Sequence, residues 1–176
     1  MSDPVKVSEH FLKSDPSAWA ETFETNVTSQ YFLSFALVSL LATGTKTSPA
    51  FSSSITNVSS ISGLMKGTSN GQPAYASSKA ALVHLTRMLA TTLKDTKIRV
   101  NQIAPGLFPS EMTTSDSDEK QKSQLSSQPS NPAGRGGSDA DMAASALLLI
   151  GHGGLFYNNQ ILHPDGGALL NAPAAI

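Results

Sequence analysis

Residues 54–105 contain the arrangement that most restricts the fold. The segment "ITNVSSIS" carries β-branched Ile55 and Val58 and reads as a short strand. "KIRVNQIAP", residues 97–105, reads as a buried strand closed by Pro105. A Gly-containing loop at 63–71 follows the first of these, and a helix from about Pro73 to Lys94 leads to the second. The apolar stripe of that helix is Leu82, Leu85, Leu89 and Leu93, at three- and four-residue steps. A strand, a long helix and a second strand imply two parallel strands joined by a right-handed crossover.

The flanking segments extend the pattern. Asp15-Pro16 reads as an N-cap followed by proline at the first helical position. No Gly or Pro follows until beyond Leu41, and Trp19, Phe23, Val27, Tyr31, Phe35 and Val38 recur at helical steps. This predicts one long amphipathic helix, 16–41, stopped near Gly44. A Ser/Thr-rich connector, "TGTKTSPAFSSS", leads into the first strand. Residues 107–137 are polar and rich in Ser, Pro and Gly, as in a mobile loop or lid. Ser138 caps a helix over "DADMAASALLLIG", and "NQILHPDGG" supplies a last strand and turn. The class is α/β: a partial, Rossmann-like doubly wound parallel sheet of about three strands with flanking helices, in a single domain over 1–176. Three strands are few for helices of this length.

Composition removes several function classes. The formal net charge is −1 and no block of like charges occurs, so neither nucleic acid nor an anionic membrane is an expected partner. The absence of cysteine excludes disulfides, thiolate metal sites and cysteine nucleophiles. The N-terminal residues lack the apolar core of a secretion signal, and the longest apolar run, 31–42, is too short to span a bilayer. A cytoplasmic protein is expected. His10, His84, His152 and His163 are scattered and suggest no metal site.

Chemistry concentrates in "GQPAYASSKAAL", residues 71–82. Tyr75 and Lys79 stand at i and i+4 and share a helical face. A phenol has a reference pKa of ~10, too high for efficient proton exchange at neutral pH, and a nearby ammonium lowers it. Such a pair suits general acid/base work on a carbonyl or an alcohol. The spacing alone is a weak signal that reads first as an ordinary surface pair and only second as a catalytic one.

The ordered series "NVSSISG", "GQPAYASSKAALVHLTRMLA", "IRVNQIAPGLFPSEMT" and "NQILHPDGG" resembles the C-terminal part of the classical short-chain dehydrogenase/reductase family, from about Asp15 to Leu170. The resemblance implies an NAD(P)-dependent oxidoreductase that moves hydride between nicotinamide and a carbonyl or alcohol carbon. It makes Tyr75 the catalytic tyrosine. Lys79 becomes the lysine that holds the nicotinamide ribose and lowers the tyrosine pKa. Ser60 becomes the serine that hydrogen-bonds the substrate carbonyl; Ser62 is its alternative, since it would give the commoner spacing to Tyr75. Asn26, in "ETNVTSQ", becomes the asparagine that supports a water linking the lysine to solvent. Pro105 and Gly106 match the turn beside the nicotinamide, and Ser110 stands where a carboxamide-binding threonine is usual. Segment 107–137 matches the substrate lid. Asn159 replaces a common glycine, at a place where asparagine tolerates a left-handed backbone. The two long helices, 16–41 and 73–94, match the family's dimer interface and imply a homo-oligomer acting on a small-molecule carbonyl or alcohol.

One expected motif is missing. A dinucleotide site needs a Gly-rich turn between a strand and a helix, where backbone N–H groups and the helix dipole hold the pyrophosphate. The family's G-x-x-x-G-x-G does not occur in these residues. "GRGG" (134–137) and "GHGG" (151–154) are the Gly-dense spots, and neither joins a strand to a helix in that way. No residue here selects NAD over NADP. Two expectations follow: a reductase, or a catalytically incompetent remnant that associates with a full-length relative.

Overall fold

The computed structural model describes residues 2–48, 50–110 and 129–172. Residues 111–128 of the lid-like segment, with Met112 and Leu125, lie outside the described residues. The described residues run α1 (Pro4–Phe11), α2 (Pro16–Phe23), a π-turn (Glu24–Thr28), α3 (Ser29–Thr47), β1 (Ser54–Val58), α4 (Pro73–Leu93), β2 (Arg99–Ile103), α5 (Asp139–Ile150), β3 (Ile161–Leu162) and α6 (Ala168–Asn171). All strand pairs are parallel, in the order β1-β2-β3. The expected Rossmann-like α/β sheet of three strands is therefore present, with β2 at its centre and fully buried.

Helices cover both faces. On one face Leu82, Leu85, Leu89 and Leu93 of α4 pack on Val100 of β2, with Ile55, Val38 and Leu41 beside them. Two buried polar groups on this face pair with each other: Asn57 Nδ2 donates to Thr86 Oγ1 at 2.9 Å, and Thr86 Oγ1 donates to Leu82 O at 2.8 Å. On the other face α5 packs on β1 and β2. There Arg99, only 4% exposed, donates through NH1 to Leu149 O (2.8 Å) and Gly154 O (2.7 Å), at the end of α5 and in the turn after it. Ser138 begins α5 with a capping box, its hydroxyl meeting the Asp141 amide and the Asp141 carboxylate meeting the Ser138 amide.

Several expectations need correction. α1 was not legible in the sequence, although Asp3 caps it and Pro4 opens it. Gly44 does not stop the long helix, which runs on to Thr47; a Cβ at Gly44 would stand 2.9 Å from Ser53 Oγ, so glycine serves the crossing of the connector. The helix also contains the π-turn, which no residue pattern announced. Tyr31 and Phe35 are 43% and 38% exposed, whereas Ser34 is buried. The reason is rotational. Each four-residue step overshoots a full turn by about 40°, so Phe35 has turned about 80° from Val27 while Ser34 lies within about 20° of it. By length and composition alone the 32-residue run Pro16–Thr47 could cross a bilayer. One side of it nonetheless packs on α4 and β1, through Val27, Val38, Leu41 and Ala42. β3 is shorter than its sequence suggested, at two residues.

α4 and the turn after β1 approach unusually closely. A Cβ on Gly63 would lie 2.5 Å from Lys79 C and 2.6 Å from Ala80 N. No side chain fits there, because the obstruction is backbone. Gly63→Ala is expected to destabilise the fold by about 1–3 kcal/mol as α4 is pushed away. A urea midpoint equal to that of the parent would contradict this close packing.

Candidate active site

The site lies at the carboxyl ends of β1 and β2, where open parallel sheets bind ligands. The strand ladder continues past the strand ends. Ser59 N donates to Ile103 O at 2.8 Å, and Ile61 N donates to Pro105 O at 3.0 Å. These bonds flank Ser60 and set it beside Pro105-Gly106. Gly106 N then donates to Pro164 O at 3.1 Å, and a Cβ on Gly106 would sit 2.7 Å from Asp165 Cα. Gly106 is thus glycine because the turn at 164–166 presses against it. That turn is itself fixed by Asp165, whose carboxylate accepts from the amides of Gly167 and Leu169, both at 2.9 Å.

Ser60 is buried, and its Oγ accepts the Ser62 amide at 3.1 Å. Ser62, the alternative candidate, shares a hydrogen bond with Ser69 Oγ at 2.8 Å. Tyr75, in the first turns of α4, joins Ser60, Gly106, Ile61, Met65 and Leu107 around an open cleft of 450 Å³. Lys79 lies one turn further along α4 and half-buried, its Nζ 5.6 Å from the Tyr75 ring centroid. Nζ donates to Val58 O, the last carbonyl of β1, at 3.2 Å. Burial lowers the Lys79 pKa from its ordinary value, because the ammonium loses hydration.

Asn26 sits in the π-turn, where its Nδ2 donates to Ser78 Oγ at 3.0 Å. Asn26, Lys79 and Pro105 are not among the residues that line this cleft. Ser110 is exposed at the edge of the described residues and does not line the cleft. Asn159 has φ 58, the left-handed backbone expected of it. All four histidines are exposed, and no metal-like cluster occurs among the described residues.

Two features escaped the sequence reading. Ser78 is fully buried between Asn26 and Tyr75, and only its step of one from Lys79 hinted at this. Ser69, Asn70 and Gly71 have φ of 53, 56 and 86, three left-handed residues in succession at the cleft rim. The Asn-Gly pair could have signalled that turn.

Parallel strands with helices on both faces, and a cleft at the strand ends, define a Rossmann-like α/β protein. The family model described as enoyl-(acyl carrier protein) reductase matches residues 1–168. Short-chain dehydrogenase/reductase PhomF of Diaporthe leptostromiformis is 36% identical over 98% of this chain and 63% of its own length. A 3-oxoacyl-(acyl-carrier-protein) reductase of rhamnolipids biosynthesis from Pseudomonas aeruginosa is 38% identical over 89% of this chain and 60% of its own. Among solved structures, the Pseudomonas aeruginosa RhlG/NADP active-site complex superposes with a TM-score of 0.67 at 33% identity, covering 86% of this chain and 59% of that one. A short-chain type dehydrogenase/reductase from Mycobacterium ulcerans gives a TM-score of 0.73 at 26% identity, covering 91% and 55%. The chain belongs to the short-chain dehydrogenase/reductase family of oxidoreductases. It spans about 60% of the length of these curated relatives.

The depressed Lys79 pKa has a consequence for stability. Below its folded pKa the amine is charged in both states and burial costs most. Between that value and 10.5 the unfolded chain binds more protons, so folding gains as pH rises. Measured by urea unfolding, the stability difference between the parent and Lys79→Met is expected to move in the parent's favour as pH rises toward 10.5. A difference that moves the other way contradicts the burial effect.

Proposed function

We propose that this chain carries the proton-transfer half of an NAD(P)-dependent oxidoreductase that interconverts a carbonyl and an alcohol. The observation that carries the reading is the convergence of Tyr75 and Ser60, from different elements, on one cleft with Lys79 half-buried behind Tyr75. The NADP named in the RhlG complex supports a nicotinamide cofactor. The residues fit its ribose end: Nζ of Lys79 spends one donor on Val58 O and has two others to offer hydroxyls. They supply no G-x-x-x-G-x-G for the pyrophosphate.

When bound, the nicotinamide supplies or accepts hydride at the substrate carbon. Ser60 accepts the Ser62 amide on one lone pair and has its hydroxyl proton to offer the substrate oxygen. Tyr75 Oη gives the proton to that oxygen in reduction and takes it in oxidation. Lys79 is assigned the ribose and the electrostatic support of Tyr75. Pro105, Gly106 and Ser110 are assigned the nicotinamide side, and Asn26 the relay behind Lys79.

A second reading has its own observation. β1 is an edge of the sheet, and its sequence, Ser-Ile-Thr-Asn-Val, has neither charge nor proline to guard an edge. This favours the interaction-partner reading, in which β1 pairs with another polypeptide. Titration with NADH and NADPH, followed by nucleotide fluorescence, separates the two. The reductase reading expects saturable binding, and carbonyl reduction that falls at least ~100-fold in Tyr75→Phe. Binding without reduction, or reduction untouched in Tyr75→Phe, overturns it.

We also propose self-association through α2–α3 and α4. Phe32, Leu33 and Leu40 on α3 are 66%, 56% and 68% exposed, and Met88 on α4 is 52% exposed. Light scattering is expected to give a dimer or larger for the parent. Phe32→Glu with Leu40→Glu is expected to lower the mass, and a monomeric parent refutes the pairing.

A further inference from the structure

We propose that Ser78 is a positioning residue whose hydroxyl fastens the turn of α4 carrying Tyr75 and Lys79 to Asn26 in the π-turn. The proposal rests on the proposed function only in giving Tyr75 and Lys79 their importance.

Ser78 has 0% exposure, while Ser77 beside it faces solvent. Its Oγ accepts from Asn26 Nδ2 at 3.0 Å and donates to Tyr75 O at 2.8 Å. A hydroxyl has one proton, so the direction of the chain is fixed: the amide of Asn26 gives to Ser78, and Ser78 gives to Tyr75 O. The contact between Asn26 and Ser78 links residues 52 apart in sequence. The bond from Ser78 Oγ to the carbonyl three residues back lies within the turn that separates the phenol from the ammonium, and back-bonding of this kind often adjusts the local course of a helix. The directions of Tyr75 and Lys79 therefore depend on Ser78.

The π-turn completes the arrangement. Residues 24–28 interrupt an otherwise continuous α-helix, and Asn26 is the middle residue of the five. Single π-turns inside α-helices recur at functional sites. Here α2 and the π-turn both pack on α4. The family resemblance gives Asn26 a water to support. The geometry gives its side chain a different task, a direct hold on α4 through Ser78. Lys79 is clamped from two sides: Val58 O takes its ammonium, and Gly63 presses on its backbone. The polar contact from Asn26 is the third constraint on the same turn.

The test reads Lys79 itself. The full chain is pulse-labelled with acetic anhydride at one pH, and acetylation of Lys79 is measured by mass spectrometry relative to exposed Lys94, just past the end of α4. Ser78→Ala and Asn26→Ala are each expected to raise the Lys79:Lys94 ratio several-fold. The double variant is expected to rise no further than the larger single effect, because one contact is removed in each case. An unchanged ratio in Ser78→Ala, or independent effects that multiply in the double variant, overturns the proposal. If Asn26→Ala does not fold, Asn26→Asp removes the N–H donor at constant size and is read the same way. This measurement needs neither nucleotide nor turnover, so failure of the reductase reading leaves it intact. In a preparation that reduces carbonyls, Ser78→Ala is expected to lower kcat about tenfold with KM unchanged, ~1.4 kcal/mol in the barrier. A rise in KM alone contradicts positioning.

Discussion

The parallel ladder between β1 and β2 is the constraint on which the site depends. Its regular part ends at Val58 and Ile103, but the bonds from Ser59 to Ile103 and from Ile61 to Pro105 carry it two steps further. Those two bonds place the hydroxyl of Ser60 next to the turn at Gly106. A parallel pair cannot be closed by a hairpin, so a helix must return the chain. That helix is α4, and its first turns necessarily arrive at the same end of the sheet. The phenol reaches the cleft, with the ammonium one helical turn further along, because the connection between the strands begins there.

Once the chain returns, the fine placement of α4 is a matter of backbone proximity. Gly63 lets the turn after β1 touch the helix at Lys79 and Ala80. Leu82, Leu85, Leu89 and Leu93 hold the rest of the helix on β2. Burial of Lys79 is a consequence of this tight seat, and so is its lowered affinity for a proton. Packing and electrostatics at the site are therefore two aspects of one contact.

Much of this was legible in the sequence, for identifiable reasons. The strands at Ile55 and Val100 announce themselves through β-branched residues, and the leucine stripe of α4 gives its buried face directly. Asp15-Pro16 and Ser138 marked helix starts because capping chemistry is local. The failures involve tertiary context. Gly44 reads as a stop until Ser53 is seen beside it. Tyr31 and Phe35 read as core because they are large and suitably spaced, but rotation along α3 gives the inward place to Ser34. The spacing of Tyr75 and Lys79 was visible, whereas the burial of Ser78 depends on a helix more than fifty residues away.

Arg99 sets an order of events during synthesis. Its guanidinium lies in the middle of the fold, and the carbonyls that receive it, Leu149, Gly154 and Tyr157, lie 50 to 58 residues later. A nascent chain that has emerged only through β2 has none of them. Only Ser52 Oγ, which accepts Arg99 Nε at 2.8 Å, is then at hand, and a guanidinium short of acceptors favours water, because burying a charge without its partners is costly. The seat of Arg99 against the end of α5 is therefore completed only after residues 149–157 have left the ribosome.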